Sequence, residues 1–184
     1  MASFLDLVQK RHSVRAYESR AVESEKIERC LEAARLAPSA CNAQPWKFTV
    51  VQDPGVISRM AEASLLPGSS MNRFVRDVPV LVGVTGESPN ITSFLGSFIK
   101  RKKLFLLDIG MAAEHFCLQA AEEGLGTCML GWFNERKVKR LLGIPWNKRL
   151  YLLISLGYSA ETGEELRKKN RKTPDEIRCY GSYR

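Results

Sequence analysis

Residues 104 to 123 read LFLLDIGMAAEHFCLQAAEE, and their apolar members Leu104, Leu107, Ile109, Met111, Ala112, Phe116, Leu118 and Ala120 fall on nearly every side of a helix. Gly124 then supplies a stop. A helix that is apolar all round must be covered all round. The chain has 184 residues, enough for one domain that buries roughly two thirds of its unfolded surface. In a domain this small a partner subunit readily covers the second side, so the pattern predicts an obligate dimer.

Shorter elements surround this helix. Phe4, Leu5 and Val8 form an apolar stripe that ends before RHS, and Ile27, Leu31, Ala34 and Leu36 mark a helix near 23–37 that Pro38 helps to end. WKFTVVQ reads as a strand, and Asp53-Pro54 opens a helix near 53–64. VPVLVGVTG is apolar almost without a break, as in a strand buried on both faces. GTCMLGWF gives a short strand, NERKVKRLLGIP a helix begun by Asn134, and RLYLLISLGYSA another buried strand. Residues 86–103 mix turn formers with Phe94 and Phe98, the composition of a variable flap, and 161–184 form a charged C-terminal arm. Neither a repeat nor a linker interrupts residues 1–184, so the expectation is one domain, α+β or α/β, with four or five strands covered by helices.

Several chemistries lack their residues. The five cysteines are Cys30, Cys41, Cys117, Cys128 and Cys179, with no C-x-x-C pair, and the two histidines, His12 and His115, lie about a hundred residues apart. A disulfide framework and a metal site are therefore not expected, and a cytoplasmic setting fits. No apolar run approaches the roughly 18 residues of a membrane span. Glycines 124, 126 and 131 lead from helix to strand, the reverse of a dinucleotide fingerprint, and there is neither a G-K-[ST] loop nor a G-x-S-x-G elbow. The net charge of +8 is compatible with nucleic acid, an acidic membrane or a phosphorylated ligand. Its dense run, RKKNRK at 167–172, is not interleaved with aromatics, so neither nucleic acid nor membrane is the expected partner.

Two stretches carry polar chemistry. In RHSVRAY, an extended backbone puts Arg11, Ser13 and Arg15 on one side, two guanidinium groups flanking a hydroxyl, as a phosphate requires. The competing reading is that Lys10, Arg11 and His12 only complement the end of the preceding helix, an effect of about 0.3–1 kcal/mol per charge. The choice rests on that helix stopping near Lys10. In APSACNAQPWKF, small residues let a ligand reach the backbone, and Asn42 and Gln44 offer donors and acceptors to a heterocycle. Alone, the stretch reads better as a rigid turn, in which Asn42 and Gln44 satisfy their own backbone and Trp46 packs in the core.

Taken in order, RHSVRAY, APSACNAQPWKFTVV, GLGTCMLGWF, LLISLGY and KNRKTPDEI resemble the nitroreductase family of FMN-dependent oxidoreductases over nearly the whole chain. The resemblance implies a three-layer α-β-α sandwich of the α+β class, with a central mixed or antiparallel sheet. It further implies a homodimer through the long central helix, with FMN at the interface. By matching motif, Arg11 and Ser13 hold the FMN phosphate, His12 lends backbone contact, and Lys169 and Arg171 close over the phosphate. Arg15 lies by the flavin pyrimidine edge, where a cation stabilises negative charge on the reduced ring. Pro38, Ser39, Ala40 and Asn42 approach the flavin from the partner subunit. Met129, Leu130 and Gly131 line the ring, and Asn72 meets the pyrimidine. The implied activity passes a hydride from NADH or NADPH through flavin N5 to a small-molecule acceptor such as a nitroaromatic or quinone. It needs no catalytic side chain, because the cofactor carries the reaction. The alternative is a flavin-binding protein with a sensing or flavin-handling role.

Overall fold

β2 (Val80–Gly86) shows why this sequence folds as a sheet with two covered faces: its valines at 80, 82 and 84 and its Leu81 are all fully buried. The side-chain period of two sends the valines to one side and Leu81 to the other, so each face needs its own apolar cover. The computed structural model describes residues 3–65, 68, 70–87, 103–161 and 169–183. Within them β1 (Trp46–Val51), β2, β3 (Gly126–Leu130) and β4 (Arg149–Gly157) form a sheet in the order β1-β2-β4-β3. Every pairing is antiparallel. The sequence left α+β and α/β open; the antiparallel sheet makes the class α+β.

The helices are α1 (Phe4–Lys10), α2 (Ser24–Arg35), α3 (Pro54–Ser64), α4 (Leu104–Glu122), α5 (Glu135–Leu141) and α6 (Pro174–Ile177). Ile27, Cys30 and Ala34 of α2 join Ile109, Ala113, Phe116 and Ala120 of α4 against Val80, Val82, Val84, Ile154 and Leu156. Ile57, Met60 and Ala61 of α3 and Val138 of α5 meet Leu81, Leu130 and Leu153 in a second core. Each fully buried aliphatic side chain contributes about 1.5–3 kcal/mol.

α4 departs from the all-round burial that its composition predicts. Asp108, Ile109, Ala112, Ala113, Phe116, Cys117, Ala120 and Ala121 are buried, yet Leu107 is 65% exposed, and Phe4 and Leu5 of the neighbouring α1 are similarly open. One chain thus covers one side of its central helix and leaves an apolar strip. Contrary to the sequence expectation, α4 is long and apolar enough to cross a membrane by length and composition. Its buried side is instead the sheet-facing core just described.

The N-terminal segment is placed by β3. Val14 donates its N–H to Thr127 O at 2.9 Å, and Ser13 and Thr127 form a parallel bridge. Gly126 makes the approach possible, because a Cβ there would lie 2.6 Å from Val14 Cγ2. The bulk of the expected flap, residues 88–102, and the stretch 162–168 of the C-terminal arm lie outside the described residues.

Candidate functional site

The helix α1 stops at Lys10, and Arg11 is already extended at φ −64°, ψ 120°. The condition for an extended RHSVR segment is met. Its residues do not converge on one point, however. Arg11 turns toward α4, where Nε lies 3.2 Å from Glu114 Oε1; this buried nitrogen has ion-pair proximity without hydrogen-bond alignment. Arg15 lies on the other side of the segment, donating from Nη1 to Ser13 O at 3.2 Å. His12 between them is committed: its ring nitrogens meet Lys10 O at 3.0 Å and Glu161 Oε2 at 3.3 Å. The same carboxylate accepts the Arg15 N–H at 3.1 Å, so Glu161 staples the segment to the end of β4.

Around Arg11 the structure gathers like charges. Lys169 reaches back across the chain to the carbonyls of Val8 and Arg11, at 2.5 and 2.6 Å. Burial, then the neighbouring Arg11 and Arg171, push the Lys169 ammonium below the ordinary lysine range, with Glu114 opposing. Lys169 thus feels two further cations and one carboxylate, and that carboxylate is paired with Arg11. Such a cluster, with a buried guanidinium nitrogen lacking an aligned acceptor, fits a dianionic group.

Arg15 faces different company. Arg15, Asn72, Met129, Leu130 and Gly131 line one concavity of about 600 Å³, with Ser70, Met71, Arg73, Phe74, Cys128 and Trp132 completing its walls. The volume lies within the range of small-molecule sites. Met129 and Leu130 belong to β3, so this wall is part of the sheet. Asn72, left-handed at φ 66°, donates from Nδ2 to Ser64 O at 3.0 Å and to Trp132 O at 2.9 Å. Its donors tie the cavity rim. Burial pushes the Cys128 thiol up, opposed by Arg15, Ser13 and Arg11. A thiol so shifted stays protonated at neutral pH and is a wall, not a nucleophile.

Pro38, Ser39, Ala40 and Asn42 stand apart. They line neither the Arg15 concavity nor the smaller crevice beside Arg11. Their loop contains a 3₁₀ turn, Ala40–Asn42, and packs against α4 through Asp108, whose Oδ1 accepts the Ala40 N–H at 3.1 Å. Among the described residues no cluster of three or more His, Cys, Asp or Glu is arranged to hold a metal.

With this geometry in view, residues 8–69 and 93–158 match the Nitroreductase family model. The chain belongs to the nitroreductase family. It is 32% identical to an Archaeoglobus fulgidus protein that carries the provisional name NADH dehydrogenase/NAD(P)H nitroreductase, over 96% of this chain and 97% of that one. The structure of a nitroreductase family protein from Clostridium novyi NT superposes with a TM-score of 0.75 at 31% identity, covering 87% of each chain. A Clostridium difficile R20291 structure described as an FMN-dependent nitroreductase shares the fold, with a TM-score of 0.77 at 23% identity over 98% of this chain and 100% of that one.

Several residues of the site escaped the sequence reading: Asp108, Glu114 and Glu161, and in the walls of the concavity Ser70, Met71, Arg73, Phe74, Cys128 and Trp132. Only Asp108 gave a signal there, as the sole charge in the apolar run from Leu104 to Ala113. Glu114 and Glu161 act through distant partners, Arg11 and the His12-Arg15 pair, which no local spacing reveals.

Proposed function

We propose that this nitroreductase-family chain is an FMN-dependent oxidoreductase that takes reducing equivalents from NADH or NADPH and delivers them to a small organic acceptor such as a nitroaromatic or quinone. It works in the cytoplasm as a three-layer sandwich homodimer. The observation that carries the reading is the division of the RHSVR segment: Arg11 joins Lys169 and Arg171 at a cationic cluster, while Arg15 joins Asn72 and Met129 to Gly131 in a ring-sized concavity. A flavin mononucleotide has this polarity, a phosphate of charge about −1.5 to −2 at one end and a flat heterocycle at the other.

FMN, when bound, supplies the hydride-accepting and hydride-donating chemistry. The chain's own residues bind and orient. Arg11, Lys169 and Arg171 neutralise the phosphate, and Ser13, whose hydroxyl meets the Cys128 thiol in the wall of the concavity, stands between Arg11 and Arg15. Met129 to Gly131 present the rigid edge of β3 to the ring. Arg15 places positive charge beside it, favouring electron uptake. Pro38, Ser39, Ala40 and Asn42, which do not line their own chain's concavity, serve the flavin of a second copy. The exposed strip of Leu107, Met111, Phe4 and Leu5 is the surface that the second copy covers.

The test is purification followed by anaerobic titration with NADH and NADPH. The expected result is a yellow dimer whose flavin absorbance is bleached by one of the two and restored by a quinone or nitroaromatic. A colourless protein that takes up no added FMN overturns the reading; bound flavin that neither nucleotide reduces assigns the chain to flavin handling instead.

A further inference from the structure

Asp108 is 3% exposed, and its two oxygens differ. Oδ1 accepts the Ala40 N–H at 3.1 Å; Oδ2 is buried and has no hydrogen-bond partner among the described residues. A carboxylate held in a helix core with half its acceptor capacity unused is expensive. What it holds is also expensive. Cys41, Asn42 and Gln44 have φ of 52°, 51° and 46°, three left-handed residues within four positions, none of them glycine.

Several hydrogen bonds close this loop on itself. Asn42 and Ala43 donate their N–H groups to the carbonyls of Ser39 and Ala40, both at 3.1 Å. Ser39 Oγ accepts the Gln44 N–H at 3.0 Å, and Gln44 Nε2 donates to Asn42 Oδ1 at 3.0 Å. These bonds travel with the loop wherever it goes. The bond from Asp108 is different in kind, because it anchors the loop to α4, the helix whose exposed strip faces the second copy.

We infer that Asp108 is a positioning residue: its carboxylate locks the left-handed loop 39–44 onto the dimer helix and so sets how Ser39, Ala40 and Asn42 meet the flavin of the second copy. This rests on the flavin reading of that loop given above. It makes loop geometry and assembly depend on one helix.

The test compares Asp108→Ala with Asp108→Asn, which retains an oxygen for the Ala40 N–H. In Asp108→Ala, hydrogen exchange across residues 37–45 of the flavin-free protein speeds up by about tenfold or more, as expected when the Ala40 N–H is left without its acceptor. Affinity for FMN and for riboflavin falls together, since the loop meets the ring and not the phosphate, and Asp108→Asn stays near wild type in all three. Should Asp108→Ala fail to fold, Asp108→Glu, which displaces the acceptor by one methylene, is expected to show the same faster exchange. Wild-type exchange in Asp108→Ala, or in Asp108→Glu where that stands in, overturns the inference. So does Asp108→Asn as impaired as Asp108→Ala, which would assign the effect to charge, or a loss confined to FMN. If the wild type binds no flavin at all, the functional reading fails, while the exchange comparison still decides whether Asp108 holds the loop.

Discussion

The two ends of the candidate site are built on opposite principles. At the ring end, Met129, Leu130 and Gly131 continue β3, which is paired to β4 from Gly126↔Gly157 to Leu130↔Leu153, so position is set by backbone. At the phosphate end, position is set by long side chains from the two extremities of the chain, with Lys169 borrowing carbonyls from α1 and Arg11 borrowing a carboxylate from α4. The first end is fixed by backbone and carries two cations, Arg15 and Arg73; the second is adjustable and gathers three, Arg11, Lys169 and Arg171, beside Glu114. A dianionic phosphate draws most on the second end, so affinity should reside mainly there, and the tuning of chemistry at the ring end.

The sharpest way to break this contrast is Arg11→Ala. Loss of a charge-assisted, two-pronged contact of about 2–3 kcal/mol is expected to weaken FMN binding by roughly a hundredfold, read by fluorescence quenching, and to leave riboflavin binding unchanged. Gly126→Ala attacks both ends together. Its added Cβ would meet Val14 Cγ2 at 2.6 Å, lifting the RHSVR segment from β3. A destabilisation of about 1–3 kcal/mol, a drop of several degrees in Tm, should accompany weaker binding of FMN and riboflavin alike.

Lys169→Ala is expected to cost FMN about tenfold in affinity, the scale of one hydrogen bond to a charged group. It carries a pH signature as well. The free ammonium lies below its ordinary range, and a bound phosphate raises it again, so binding takes up a proton. Affinity is then complete below the free-state pKa and declines as pH rises through it toward the bound-state value. Lys169→Ala should flatten that decline in a pH series of binding isotherms. Arg15→Ala gives the smallest change in affinity. Its expected effect is a reduction potential lowered by on the order of tens of millivolts, about 30 mV for each 1.4 kcal/mol in a two-electron couple, measured by equilibration with a reference dye.

How much of this was legible in the sequence follows the same division. Nearly unbroken apolar composition located α4 and β2 almost to the residue, because burial in the core imposes it. Motif order brought Arg15, Asn72 and Met129 to Gly131 into one cavity and Arg11 beside Lys169. Local pattern could not separate α+β from α/β, since a strand buried on both faces reads alike in parallel and antiparallel sheets. Nor could it find Glu114 or Glu161, which lie a hundred or more positions from the residues they hold. The three left-handed residues after Ala40 were also hidden, because Cys41 and Gln44 carry no sequence preference for that conformation.

The central claim is that one segment serves both ends of a flavin mononucleotide and that the phosphate supplies most of the grip. It is tested most directly by titrating the unaltered protein with FMN and riboflavin side by side at low salt. The account predicts FMN tighter by about two orders of magnitude, a gap that narrows as salt screens the cations. Equal affinity for the two at every salt concentration would contradict it.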